Sequence, residues 1–118
     1  MNQRSKRVAE TLRAEIADVI RREMKDPRVQ LATVFEVHPT RDLSHAKVLI
    51  SVLGDDEEQR RAAVDVLIKA RGFVRSQVAS RVRLRTVPEL HFELDRGAEH
   101  SQRINEILES LDVPAEEP

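Results

Sequence analysis

The sequence predicts a single α+β domain, with three strands and helices packed on one face of the sheet. Three observations carry this. The chain has 118 residues, enough for one core of modest size. Apolar residues recur every three or four positions in four segments, as amphipathic helices require. Three further segments alternate or run apolar over strand lengths, giving the order α-β-β-α-α-β-α.

From Val8 to Met24, Val8, Leu12, Ile16, Val19 and Ile20 form one apolar helix face. Ser5 is the expected N-cap and Pro27 the expected stop. Arg7, Ala14, Arg21 and Lys25 fall opposite the apolar stripe. In Val29–His38, Val29, Leu31, Thr33, Phe35 and Val37 alternate with Gln30, Ala32, Val34, Glu36 and His38, as on a strand. A turn follows at Pro39-Thr40-Arg41-Asp42. Lys47 to Leu53 is too apolar for a strand with one solvated face and reads as central. The short connection makes these two strands an antiparallel hairpin.

Gly54-Asp55-Asp56-Glu57-Glu58 opens a helix with its acids at the positive end of the dipole, and Val64, Leu67 and Ile68 supply its apolar face. The pattern breaks at Ala70-Arg71-Gly72 and resumes at Val74, Val78 and Val82, so Gly72 marks a kink or a boundary between two helices. Leu90, Phe92 and Leu94 alternate with Glu89, His91, Glu93 and Asp95 as a strand with one solvated face. After Gly97, a last helix carries Ile104, Ile107, Leu108 and Leu111. The domain is expected over 1–112, with a short disordered tail over 113–118.

Composition excludes several chemistries. With no cysteine there is no disulfide, thiol nucleophile or Cys-ligated metal. No apolar run approaches the ~20 residues of a membrane span, and the charged N-terminus lacks the apolar stretch of a signal peptide. A soluble cytoplasmic protein is expected. His38, His45, His91 and His100 show no metal-binding spacing, and no P-loop, GxGxxG, GxxG or GxSxG is present. No cofactor, metal or small-molecule substrate is expected. Three phenylalanines and no Tyr or Trp make a thin platform for base stacking.

The net charge of −1 conceals segregation. Residues 1–28 carry eight basic and five acidic side chains, residues 66–88 carry six basic and no acidic ones, and residues 89–118 carry nine acids and two arginines. Val74, Val78 and Val82 face inward on the third helix, which turns Arg75, Ser76, Ala79 and Arg83 outward. Small residues between arginines let a phosphate backbone approach, and Arg binds phosphate bidentately. A polyanion-binding face is one reading of this pattern, and a merely solvated, arginine-rich helix is the other.

The chain resembles bacterial ribosome-binding factor A. The resemblance rests on Arg7-Val8, Asp26-Pro27-Arg28, Asp42-Leu43-Ser44-His45-Ala46-Lys47-Val48, Ala70-Arg71-Gly72-Phe73-Val74-Arg75, Leu84-Arg85, Pro88-Glu89-Leu90-His91-Phe92 and Arg103-Ile104, in that order. It implies a type II KH-like fold in which Ala70-x-Gly72 stands where ordinary KH modules place a GxxG loop. It further implies a non-enzymatic factor that binds the free, immature 30S subunit and 16S rRNA, assists late maturation including 16S 5′-end processing, supports growth in the cold, and leaves with the help of a GTPase. On this reading Arg4, Lys6, Arg7, Arg21, Lys25, Lys69, Arg71, Arg75, Arg81, Arg83 and Arg85 contact RNA, and the kink at Ala70 and Gly72 aims them. A monomer is expected, because the apolar stripes are no wider than one core needs. The rival readings are a basic protein-interaction module and an RNA-processing enzyme using His91.

Overall fold

The computed structural model describes residues 3–95, with side chains from Ser5 onward. The expected last helix and the tail lie outside the described residues. Helix α1 spans Gln3–Glu23 and is followed by a 3-10 turn, Pro27–Val29. Strands β1 (Ala32–Pro39) and β2 (His45–Val52) lead to helices α2 (Glu57–Lys69) and α3 (Arg71–Ala79), then strand β3 (Glu89–Leu94). The sheet order is β1-β2-β3. β2 is central as expected, antiparallel to β1 and parallel to β3. The α2–α3 pair supplies the crossover that a parallel pair requires.

The helices cover one face of the sheet. Leu12, Ile16, Val19 and Ile20 of α1 meet Ala46, Val48 and Ile50 of β2, Leu90 and Phe92 of β3, and Leu67, Val74 and Val78 of α2 and α3 in one buried core. The other face carries His45, Lys47, Glu89, His91 and Glu93, all exposed. This α+β arrangement is consistent with a KH-like fold.

α1 starts before Ser5, which therefore lies within the helix and is not its N-cap. Gln3 and Arg4 oppose helix formation no more than their successors do, so the helix extends past the serine. α1 ends at Glu23, four residues before Pro27. Asp26 takes the extended conformation favoured before proline and caps the 3-10 turn by accepting from Arg28 N–H at 2.9 Å. The Arg28 guanidinium grips the same carboxylate, with Nη2 at 2.6 Å from Oδ2. That bond, then the backbone one, lowers the Asp26 pKa to about 2. Asp26-Pro27-Arg28 is thus a self-bridged turn.

β1 begins at Ala32, because Val29 belongs to the 3-10 turn, where it is buried. Strict alternation also fails. Val34 pairs with Ile50 and Glu36 with Leu49, so Phe35 is an extra residue, a β-bulge. The bulge sends both Val34 and Val37 into the core and leaves Phe35 half exposed. β2 ends at Val52, and Leu53 is outside it and exposed.

The connection from β1 to β2 is built by Asp42. Its Oδ1 accepts from Ser44 N–H at 3.0 Å, Ser44 Oγ at 2.7 Å and Thr40 Oγ1 at 2.9 Å. The Ser44 hydroxyl is the largest cause lowering the Asp42 pKa to about 2. These bonds hold Leu43 at φ 60°, a left-handed conformation uncommon for a branched residue. The fixed turn delivers His45 to the first position of β2, with Thr40 N–H donating to the His45 carbonyl at 2.8 Å.

Asp56 caps α2, accepting from Glu58 N–H at 2.9 Å and Gln59 N–H at 3.3 Å. Its buried residues are Ala63, Val64 and Leu67, whereas Ile68, expected inside, is exposed at the helix edge. The break falls at Ala70, with φ −94° and ψ 8°, rather than at Gly72. Ala70 N–H bonds the carbonyls of Val66 and Leu67, and Val74 N–H bonds the Ala70 carbonyl, so the chain changes direction at one residue. α3 ends at Ala79, so Arg83 stands on the linker to β3 and not on the helix as expected.

Candidate nucleic-acid interface

The helix break and the edge strand together form a cleft. Ile68, Arg71, Gly72 and Arg75 make one wall, and Glu89, Leu90, His91 and Phe92 of β3 make the other, around about 520 Å³. Arg71 and Arg75 are four residues apart, so both guanidinium groups rise from the same face of α3. Arg71 donates to the Ile68 carbonyl at 2.9 Å, at the end of α2. Arg75 Nε donates to the Val87 carbonyl at 2.9 Å, tying α3 to the linker that precedes β3. Each bond uses one nitrogen of a five-donor fork and orients the remainder. Among the described residues β3 is an edge strand, with no ladder partner on its outer side. The cleft therefore combines a cationic wall, a backbone edge and an apolar floor. The cleft is open at Gly72, where a Cβ would meet nothing within 4 Å.

The other expected contacts separate into groups. Lys69 is exposed at the end of α2 and lines a shallow recess with Arg28, Ala62, Asp65, Val66 and Ala70. Arg83 and Arg85 are exposed on the linker. Lys6 and Arg7 are exposed on the first turns of α1, and Lys25 follows its end. Arg4 lies on α1, with its side chain outside the described residues.

Arg81 and Arg21 are held differently. Arg81 reaches back to α1, with Nη1 at 2.6 Å from Asp18 Oδ2 and Nη2 at 3.3 Å from Glu23 Oε2, and Glu15 at 3.9 Å. Asp18 also accepts from Arg21 at 2.8 Å and from Arg22 at 2.8 Å. Arg22, then Arg81, are the main causes lowering the Asp18 pKa to about 2. Much of the positive charge of α1 is thus offset within the fold. Arg81 fastens α1 to the end of α3, a role that counting charges along the chain cannot reveal.

The β2–β3 register creates a grouping that spacing along the chain does not show. His45 pairs with Glu89 and Lys47 with His91 across the parallel strands. Histidines 46 positions apart in sequence bring ring nitrogens to 2.9 Å. The sequence offers a histidine at the start of one strand and a Glu-x-His on the exposed face of another, but only the strand pairing joins them.

The sequence model for Ribosome-binding factor A matches residues 4–108. The chain belongs to the ribosome-binding factor A family. A ribosome-binding factor A from Desulforamulus reducens is 43% identical over 118 residues, spanning 100% of this chain and 98% of the relative. The crystal structure of ribosome-binding factor A from Thermus thermophilus superposes with TM-score 0.69 at 28% identity, covering 80% of this chain and 98% of that one. A Thermus thermophilus ribosome-binding factor A homology model, fitted into a cryo-EM map of a 30S complex, matches with TM-score 0.61 at 30% identity, covering 74% of this chain and 90% of that one. In this family member the helix break falls at Ala70, the first residue of the Ala70-Arg71-Gly72 segment, and the next residue, Arg71, is one of the two cleft arginines.

Proposed function

We propose that this ribosome-binding factor A family member binds the immature 30S subunit in the cytoplasm as a monomer. It holds 16S rRNA phosphates with Arg71 and Arg75 in the cleft and with Lys69, Arg83 and Arg85 around it. It assists late maturation, including processing of the 16S 5′ end, without itself cutting RNA. The observation that carries this reading is the placement of Arg71 and Arg75 on one wall of an open cleft beside an edge strand. Support comes from the Thermus thermophilus relative fitted into a 30S complex.

The cleft suits phosphate and shape recognition of a folded RNA surface better than reading of a base series. It has no GxxG clamp, and the exposed aromatic next to Gly72, Phe73, gives little stacking area. The test is a sucrose gradient of cell extract. The protein should travel with free 30S particles and not with 70S, and RNase should release it. Migration at the top of the gradient in cells accumulating precursor 16S rRNA would refute the proposal. Incubation of the pure protein with precursor 16S rRNA should leave the RNA uncut, whereas cleavage abolished by His91→Ala would make it an enzyme.

A further inference from the structure

We propose that His45, Glu89 and His91 form a binding site for a divalent transition-metal ion of the zinc class, on the sheet face away from the helices. The three ligand atoms lie within 4.8 Å of one another. His45 Nδ1 is 2.9 Å from His91 Nε2 and 3.4 Å from Glu89 Oε2. A tetrahedral ion with bonds of about 2.0–2.1 Å holds its ligand atoms about 3.3–3.4 Å apart. The carboxylate is therefore already at ligand separation from His45. The ring nitrogens need part by only about 0.4 Å, a small rotation of two exposed side chains. The rings are 5.1 Å apart between centroids and inclined at 40°, so they approach nitrogen to nitrogen rather than stacked face to face.

The proton count favours the same conclusion. With both histidines neutral, the two facing nitrogens at 2.9 Å have room for one hydrogen between them, and a carboxylate contributes none. Carried on His45 Nδ1 it would have to serve the His91 nitrogen and the Glu89 oxygen together, and carried on His91 Nε2 it would leave the Glu89 oxygen facing the His45 lone pair. A cation satisfies all three lone pairs at once. Two imidazoles and one carboxylate are a donor set that zinc takes readily, and three protein ligands leave one coordination position for water.

The backbone beneath the cluster is fixed before any ion arrives. Glu89 N–H donates to the Ser44 carbonyl at 3.0 Å, and His45 N–H donates to Thr40 Oγ1 at 3.1 Å, inside the turn that Asp42 holds. The strand register then sets His45 against Glu89 and Lys47 against His91. Lys47 shares this face and opposes a cation, so the site is expected to hold its ion reversibly.

The test uses the full, tag-free chain without RNA. Co²⁺ is titrated and followed by visible absorption, and Zn²⁺ is then added to displace it. One Co²⁺ per chain should bind, with the intense bands of a four- or five-coordinate ion, and Zn²⁺ should abolish them. His45→Gln and His91→Gln should each weaken binding by more than about tenfold, the loss that even an outer-shell partner causes. All three side chains are exposed, so these variants should keep the wild-type circular dichroism. His38→Gln is the control, because the nearby His38–Glu36 pair, at 2.9 Å, offers only two ligands. No saturable binding, octahedral-type weak bands, or binding that survives the His45→Gln/His91→Gln double change would each overturn the proposal.

Discussion

The charge on the helix break should show in the salt dependence of RNA binding. Of the six cations in residues 66–88, Arg81 is engaged by Asp18 and Glu23, which leaves Lys69, Arg71, Arg75, Arg83 and Arg85 facing solvent. If each neutralises one phosphate, a slope of about −0.7 per contact makes binding fall about a hundredfold between 50 and 200 mM monovalent salt. Changing Lys69, Arg71 and Arg75 together to Gln leaves two contacts, and the same salt interval should then weaken binding only about sevenfold. Fluorescence anisotropy of labelled protein with purified 30S subunits, at fixed Mg²⁺, measures both slopes. Arg81→Gln serves as the counter-test: its guanidinium already faces carboxylates, so the slope should stay at the wild-type value while the melting temperature falls. An unchanged slope in the triple variant would refute the assignment of the cleft. A slope change in Arg81→Gln as large as that of a cleft arginine would refute the pairing argument.

Leu67, fully buried between α2 and the sheet, should lose about 2–5 kcal/mol of stability on change to Ala, measured by urea unfolding. Gly72→Ala should leave stability unchanged or raise it by up to about 1 kcal/mol, because the site is helical and open; a destabilisation seen by thermal melting would mean that α3 needs the glycine conformation. Asp18, Asp26 and Asp42 have folded pKa values near 2, below the ordinary 3.8. Their contribution is therefore complete above about pH 4 and is lost as pH falls from there towards 2. Asp42→Asn should flatten that acid limb in pH-dependent denaturation, and an unchanged limb would contradict the role of Asp42 in the turn.

The core of this fold is legible because it is written in short periods. The stripe from Leu12 to Ile20 and the alternation of Leu90 and Phe92 each state their buried face locally, and the structure buries those residues. β1 is harder. Val34 and Val37 are three apart, a spacing that fits neither face of a regular strand, and only the β2 partner shows that Phe35 is a bulge. Ser5 misleads about the start of α1 because a serine is a good cap only where the helix has not already begun. Propensity points to Gly72 for the break, yet backbone hydrogen bonding turns at Ala70, a residue with no such signal. The cleft needs pairing information of the same kind. Its arginines are visible in the charge run, but its second wall is an edge strand 14 or more positions further on, placed there by parallel pairing with β2.

A net charge near zero does not weigh against RNA binding in this chain, because the fold commits charges of the two signs unequally. Three acids on α1 are held by Arg81 and its neighbours, and Asp26 is held by Arg28. Those pairs cancel inside the molecule and contribute little field beyond a Debye length of about 8 Å. On the proposed function, what an RNA surface would meet is the remainder near the break, Lys69, Arg71 and Arg75, with Arg83 and Arg85 on the linker. The helix break matters for the same reason. A continuous helix would spread positions 69, 71 and 75 along one cylinder, with the second and third about 200° and 600° further round than the first, so that Lys69 and Arg71 would point nearly oppositely. A change of direction at Ala70 frees the second helix from that phase and lets its arginines line a cleft against β3. The structural need at this place is thus a turn between two helices, and an alanine with a non-helical backbone meets it without the glycine loop of an ordinary KH module.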